Sequence, residues 1–498
     1  MNTRALRQKV LDLAIHGKLV PQNPNDESAT VLLEKIRAEK ADKIKKGELK
    51  ADKKDSFIFV GSDKRHYEQF ADGTVKDIED EIPFEVPEGW TWCRLNEICS
   101  LKGGKRIPAG LSATKKPTEH IYIRVTDMRN NSISDDDLVY IDDSIFEKIK
   151  QYTINKTDLY LTIAGTIGRV GEVPEKFDGM NLTENALKLT NICINKKYLM
   201  FILNSSFVQD YFESTYHQVA MPKLSLINAS KALIPIPSKT EQDIIVTAIE
   251  NAFDQIEYLE QNKVDLQIAI KQAKSKILDL AIHGKLVPQD PKDEPTEELL
   301  KRIATSDNRP YEKLEDVPFE IPDSWCWVKL DNLADIARGG SPRPIQDFIT
   351  SDENGINWIK IGDTSEESKY ITSAREKIKR EGIKHSRFVH AGDFLLTNSM
   401  SFGRPYILKI DGCIHDGWLV FANIKKCLLQ DYLYFALSSK YIYDKFSMVA
   451  AGSTVKNLKS DTVKQVAFPL PPIEEQKRIV EKINQMYSLL DQIQNNLI

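Results

Sequence analysis

From Ile249 to Leu280 the chain carries one uninterrupted seam. Ile249, Ala252, Ile256, Leu259, Lys263, Leu266, Ile270, Ala273, Ile277 and Leu280 alternate in steps of three and four, and Lys263 is the one polar member. A stripe with a period of 3.5 residues is too narrow to bury itself and asks for a partner helix. The pattern predicts one helix from about Glu241 to His283, roughly 60–65 Å long at 1.5 Å per residue. Its end is signalled by His283 in the last turn, Gly284 at the left-handed cap position and Pro288 beyond it.

The partner is written in two pieces. Leu11–Gln22 is identical to Leu278–Gln289 at an offset of 267, and ahead of it Thr3, Leu6, Val10 and Leu13 continue the seam. Phe468–Val480 echoes Ile234–Val246 at an offset of 234, followed by Ile483, Met486, Leu490, Ile493 and Leu497. In repeat coordinates Ile498 corresponds to Val264 and Met1 to Ile268. The termini therefore read as two halves of a second long helix cut open at its middle, a circularly permuted repeat with pseudo-twofold symmetry.

Between the helices lie two similar units. Ile82-Pro-Phe-Glu-Val-Pro-Glu-Gly-Trp-Thr-Trp-Cys-Arg-Leu95 opens the first, and Val317-Pro-Phe-Glu-Ile-Pro-Asp-Ser-Trp-Cys-Trp-Val-Lys-Leu330 opens the second. Ile123–Asp127 matches Ile359–Asp363, Asp158–Thr162 matches Asp393–Thr397, and Gly168-Arg169 matches Gly403-Arg404. Short β-branched and aromatic runs broken by Gly and Asp predict strand-rich mixed globules. The fold class expected is α/β (mixed α+β): two similar globules separated by long antiparallel coiled-coil helices. The divisions are 1–36, half-helix and cap; 37–81, a charged insertion; 82–235, the first unit; 236–303, the central helix and cap; 304–316, a linker; 317–470, the second unit; and 471–498, the other half-helix. Trp90, Trp92, Trp325 and Trp327 are expected to pack in the core or at a domain edge.

Composition narrows the function. The 498 residues carry a net charge of −5, so a nucleic-acid surface would have to be local or completed by a partner. No apolar run reaches membrane-spanning length. The six cysteines are scattered, as reduced thiols of a cytoplasmic protein would be. Gly103-Gly-Lys-Arg106 and His16-Gly-Lys-Leu19 lack Walker spacing, and Gly165–Gly171 reads as a strand turn. Asp135-Asp-Asp137 sits in a polar loop without a nuclease pattern, and no methyltransferase tetrapeptide occurs. No catalytic, cofactor or metal site is expected. Binding chemistry is present: Lys102-Gly-Gly-Lys105-Arg106 and Arg338-Gly-Gly-Ser-Pro-Arg343 put cations on glycine-rich loops, while Arg169 and Arg404 follow turn glycines. Such loops let backbone N–H groups approach phosphate and let arginine reach guanine. These seven cations are the candidate DNA contacts.

The Trp-x-Trp openings, Gly339-Gly-Ser-Pro-Arg-Pro344, Gly392–Thr397, Gly452-Ser-Thr-Val-Lys-Asn-Leu458 and above all Pro469-Leu-Pro-Pro-Ile-Glu-Glu-Gln-Lys-Arg-Ile-Val480 make the chain resemble the specificity (S) subunit of bacterial type I restriction–modification systems. The first unit departs from the pattern, with Lys105-Arg-Ile-Pro108 and Ser238-Lys-Thr-Glu-Gln242. The resemblance implies two target-recognition domains on double-stranded DNA, docking methyltransferase (M) subunits and, through them, the restriction (R) subunit, with no membrane. S-adenosylmethionine, ATP and Mg would then sit on the partner subunits. The alternatives are a protein-binding scaffold with paired domains and no DNA contact, or a free-standing enzyme. In the recognition reading the helices set the distance between half-sites. One heptad added after Ile256 and one after Leu490 lengthens the helices by roughly 10 Å. At about 3.4 Å per base pair the unread spacer should grow by about three base pairs. An unchanged methylated motif from a folded, active double insertion would show that the helices are not the ruler.

Overall fold

A computed structural model describes residues 2–47, 55–216, 222–307, 314, 317–365, 368–399, 403–450 and 457–496. Lys50, Lys53 and Lys54 of the charged insertion, Leu497 of the seam and most of the Gly452–Leu458 motif lie outside these residues. The chain divides into two compact units, Met1–Gln261 and Asn262–Ile498, and the division falls inside the long helix Lys239–Ile282.

In the first unit the helix Thr3–Ile15 runs antiparallel to the start of the long helix. Arg7 pairs with Glu260 at 2.9 Å, whereas Gln22 meets Glu241 through Trp90. In the second unit the C-terminal helix Ile473–Asn496 does the same with the other end. The Tyr487 hydroxyl donates to the Lys274 carbonyl at 3.1 Å, and Gln289 donates to Glu475 at 2.7 Å. Ile249, Ile256, Ile270 and Ile277 of the seam are buried, but Leu259 and Leu266 are 44% and 38% exposed. Apolar packing thus concentrates at the two ends of the seam, where each helix meets its globule.

The two ends are built alike. His16 and His283 hydrogen-bond through Nδ1 to the carbonyls of Asp12 and Asp279, both at 2.7 Å. Their rings stack on Phe84 and Phe319 at 4.0 and 3.9 Å. Gly17 and Gly284 then turn the chain at φ of +61° and +66°, and a Cβ there would lie 2.3 and 2.4 Å from Cγ of Pro87 and Pro322. Glycine is required twice over, by the dihedral and by the close approach. The indole N–H groups of Trp90 and Trp325 donate to Glu241 and Glu475 at 2.8 and 2.9 Å. Burial pushes both carboxyls up, against these hydrogen bonds.

Each Trp-x-Trp strand pairs antiparallel with the proline-bearing strand that closes its unit, Thr91–Arg94 with Leu233–Ile236 and Cys326–Lys329 with Ala467–Leu470. The register is the same, with Trp92 opposite Pro235 and Trp327 opposite Pro469. Beyond this ribbon the first unit carries an antiparallel sheet in the order 170–172, 159–162, 186–190, 100–103, and a second sheet in which 120–123 runs parallel to 180–182. The second unit repeats both: 405–408, 394–397, 418–422 and 335–338 follow the same order, and 356–359 runs parallel to 412–414.

The helix Ala29–Lys45 begins ahead of the charged insertion and runs into it, and a three-stranded meander follows, 56–60, 66–70 and 75–77. It has its own small core with Ile58 and Ile78 against Trp92. Arg94, 7% exposed, is held by Glu68 at 2.8 Å and Glu81 at 2.6 Å, both from the insertion. The matching position in the second unit is Lys329, half-buried. A buried guanidinium is tolerable only with such partners, so the substitution follows the insertion.

Arg37 of the insertion helix pairs with buried Glu97 at 2.7 Å. Burial nonetheless pushes the Glu97 carboxyl from 4.5 up to about 7. Between these values the folded chain keeps a proton that the unfolded chain has lost. The stability due to this group is therefore full below pH 4.5 and is lost as pH rises to about 7. Glu97→Gln should gain on the native chain across that window by at most about 3 kcal/mol. Parallel curves of Tm against pH for the two proteins would contradict it.

Candidate nucleic-acid interface

The expected cations gather at one end of the first sheet in each unit, because three segments end there together. In the first unit these are the loop after Gly103, the loop 183–185 and the turn 163–169; in the second they are the loop after Arg338, the loop 415–417 and the turn after Thr397. Gly104 N–H donates to the Ala186 carbonyl at 3.1 Å and Lys105 N–H to that of Leu182 at 2.9 Å. Gly339 and Gly340 make the same two bonds, to Trp418 at 2.9 Å and Ile414 at 3.2 Å. A Cβ on Gly104 would lie 2.1 Å from the Thr183 carbonyl oxygen, and one on Gly339 2.2 Å from that of His415. The glycines are therefore explained by loop meeting loop, independently of any phosphate.

The turns correspond as closely. Arg169 and Arg404 N–H groups each donate to the hydroxyl seven residues earlier, Thr162 and Thr397, at 2.9 Å. Gly168 and Gly403 ahead of them have φ of +90° and +79°. The strand turn expected at Gly165–Gly171 is what forms.

The individual side chains differ. Lys102 is exposed and lies opposite Lys188, whose ammonium is pushed down first by burial and then by Lys102. Lys105 lies over the Tyr152 ring at 5.6 Å. Arg106, its side chain 78% exposed, pairs through Nε with Glu184 at 2.6 Å. Arg169 is exposed but donates to the Met128 carbonyl at 3.0 Å, which braces a neighbouring hairpin. In the second unit Arg338 Nε donates to the Asp416 carbonyl at 2.8 Å, and Arg343, 81% exposed, approaches the Asp416 carboxylate at 3.5 Å. Arg404 is half-buried at the foot of its turn. Lys102, Lys105 and Arg106 thus lie on one loop edge and Arg338 and Arg343 on another, while Arg169 reaches to the Met128 carbonyl and Arg404 is half-buried.

Sequence reasoning did not find Arg387, exposed on the strand Arg387–Val389, whose Nε donates to the Arg338 carbonyl at 2.8 Å. Nor did it find Lys188, Glu184 or Asp416. These residues share no motif, and strand pairing alone brings them to the edge.

Other chemistry is accounted for. Asp135 pairs with Lys176 at 2.7 Å, Asp136 with Arg129, and Asp137 with Lys115 and Arg124. Among the described residues no group of three or more His, Cys, Asp or Glu could hold a metal ion. No described helix is long and apolar enough to cross a membrane. A cavity of about 810 Å³ between the meander and the strand Ser100–Gly103 is lined by Lys40, Asp55, Glu68, Arg94 and Lys231, among others, with Asp55 and Glu68 already paired.

The family model for the type I restriction modification DNA specificity domain matches residues 87–267 and 322–498. The chain belongs to that family. The two matches coincide with the two repeats, each taken with the helix that follows it. Among curated relatives, the type I restriction enzyme EcoEI specificity subunit of Escherichia coli is 23% identical over 99% of this chain and 90% of the relative. The EcoAI specificity subunit of the same species is 24% identical over 97% and 88%. The fold is that of an HsdS subunit from Thermoanaerobacter tengcongensis, at 18% identity and a TM-score of 0.50 over 83% of this chain and 94% of that one. A chain solved in work on complex assembly and conformational transition of the type I R-M system gives a TM-score of 0.53 over the same shares, at 18% identity.

If this edge meets DNA, the exposed Arg343 and the half-buried Arg404 would make two kinds of contact. Arg343→Ala should cost roughly 1–3 kcal/mol of DNA affinity, as loss of a base-edge contact does, and Arg404→Ala less. Titration of labelled target DNA with the partner subunits present measures both. Wild-type affinity in two folded variants would remove this edge from the interface.

Proposed function

We propose that this chain is the non-catalytic DNA-recognition subunit of a type I restriction–modification complex, reading an asymmetric bipartite target with its two units. The observation that carries the reading is the duplicated loop edge: one backbone hydrogen-bond pattern, repeated at Gly104–Lys105 and Gly339–Gly340, presents different side chains in the two units. A shared scaffold with unlike loops is suited to reading two unlike sequences. The scaffold alternative without DNA contact is not favoured, since the matching family is one of DNA specificity domains.

The rest of the reading concerns partners. The chain is acidic overall, so the two basic edges are local, and M subunits would supply the remaining phosphate contacts. The M subunits would carry S-adenosylmethionine and dock the R subunit with its ATP and Mg. The complex would work in the cytoplasm on double-stranded DNA.

The test is the methylated motif of a host carrying this chain and its M subunit, read by single-molecule sequencing. A motif in two unlike halves is expected. Exchanging residues 83–235 for the unit of another family member should alter one half only. A change in both halves would refute independent reading, and no sequence-specific methylation would refute the function.

A further inference from the structure

Residues 182–186 and 414–418 occupy the same structural position, since Leu182 and Ile414, and Ala186 and Trp418, accept the equivalent backbone hydrogen bonds from the glycine loops. Their sequences differ, Leu-Thr-Glu-Asn-Ala against Ile-His-Asp-Gly-Trp. The third position is nevertheless a carboxylate in both, and each carboxylate meets an exposed arginine of the loop it faces. Glu184 accepts from Arg106 Nε at 2.6 Å, and Asp416 faces Arg343 Nη2 at 3.5 Å.

Each acid is itself held. Thr183 Oγ1 donates to Glu184 Oε2 at 3.1 Å, and the Tyr122 hydroxyl, 3.3 Å from the same oxygen, gives its single proton to either Glu184 or the Lys105 carbonyl at 2.9 Å. Ser341 Oγ donates to Asp416 Oδ1 at 2.9 Å, while Arg338 and Asn398 donate to the Asp416 carbonyl at 2.8 and 2.9 Å. Although burial pushes both carboxyls up, hydrogen bonds from Arg106 to Glu184 and from Ser341 to Asp416 bring them below their ordinary values. Both are therefore charged at neutral pH.

Fold stability does not explain such pairs. Ion pairs this exposed contribute about 0–1 kcal/mol, and a negative charge at a DNA-facing edge repels phosphate. What each pair does is fix a long, flexible guanidinium while using only part of it. Arg106 spends Nε and keeps both Nη groups; Arg343 spends one N–H of Nη2 and keeps the other together with Nη1. A guanidinium held in this way has less rotamer entropy to lose when it presents two donors to a guanine O6/N7 edge. We propose that Glu184 and Asp416 are specificity-determining positioning residues, each orienting one arginine, Arg106 or Arg343, to read a guanine in its own half-site. The inference rests on the DNA-reading function proposed above.

The experiment uses the full chain with its M subunit and scores the methylated motif and its single-base variants for Glu184→Gln, Glu184→Asp, Asp416→Asn and Asp416→Glu. Discrimination at one G·C pair of one half-site should fall by about 2- to 5-fold in Glu184→Gln, the most that a pair of this strength can supply, with the other half unchanged. Asp416→Asn should do the converse, and the two charge-conserving variants should restore selectivity. Folding is checked by thermal melting of each variant. If both neutral variants melt as the native chain does and discriminate every base as it does, the carboxylates do not position readers. That result leaves a bipartite native motif and the subunit's function intact, whereas a native complex without any motif would refute the function itself.

Discussion

An indole N–H given to a buried glutamate ties each recognition unit to its helix. Trp90 and Trp325 stand at the start of the strand that opens a unit; Glu241 and Glu475 stand in the first turn of the helix that closes it. A carboxylate nearly out of water needs donors, and removing one leaves a desolvation cost of roughly 1–3 kcal/mol or more. Beside this bond the opening strand pairs with the proline-bearing strand. Gln22 or Gln289, from the cap of the other helix, joins the cluster. Opening strand, closing strand, helix start and helix cap are thus joined at one buried point in each unit.

Downstream of that point the backbone repeats while the side chains do not. The glycine loops, the strand that receives them and the turn closed on Thr162 or Thr397 use the same hydrogen bonds in both units. Glycine is kept where a Cβ would strike a carbonyl oxygen, and the positions between are released to vary. This separation lets a chain with a net charge of −5 carry two compact basic edges, Lys102–Arg106 with Lys188 and Arg338–Arg343 with Arg387. Acids placed among the cations shape each edge and limit its net charge.

The insertion shows how an addition becomes part of a domain. Its meander buries Ile58 and Ile78 against Trp92, and Glu68 and Glu81 neutralise Arg94 on the opening strand. Arg37 does the same for Glu97. Each buried charge has its partner on the other side of the join, so the insertion and the unit specify one another.

The sequence by itself determined the periodic and repeated features. The seam from Ile249 to Leu280, the duplicated cap, the Trp-x-Trp and Pro-x-Pro segments and the permuted order all follow from spacing and identity along the chain, which local physics reads directly. Helix periodicity and cap chemistry act over a few residues, and the exact repeat supplied the pairing. Only the tertiary structure decided that the seam is exposed at Leu259 and Leu266, that 56–77 folds as a sheet, and that the paired tryptophans serve buried glutamates. It also decided that Glu184, Asp416 and Arg387 belong to the edges. The reason is that the fold brings together segments 49 and 78 residues apart, at Arg387 with Arg338 and Arg106 with Glu184, with no constraint on side-chain type. Such positions leave no periodicity and no motif, and only the folded register brings them to one surface.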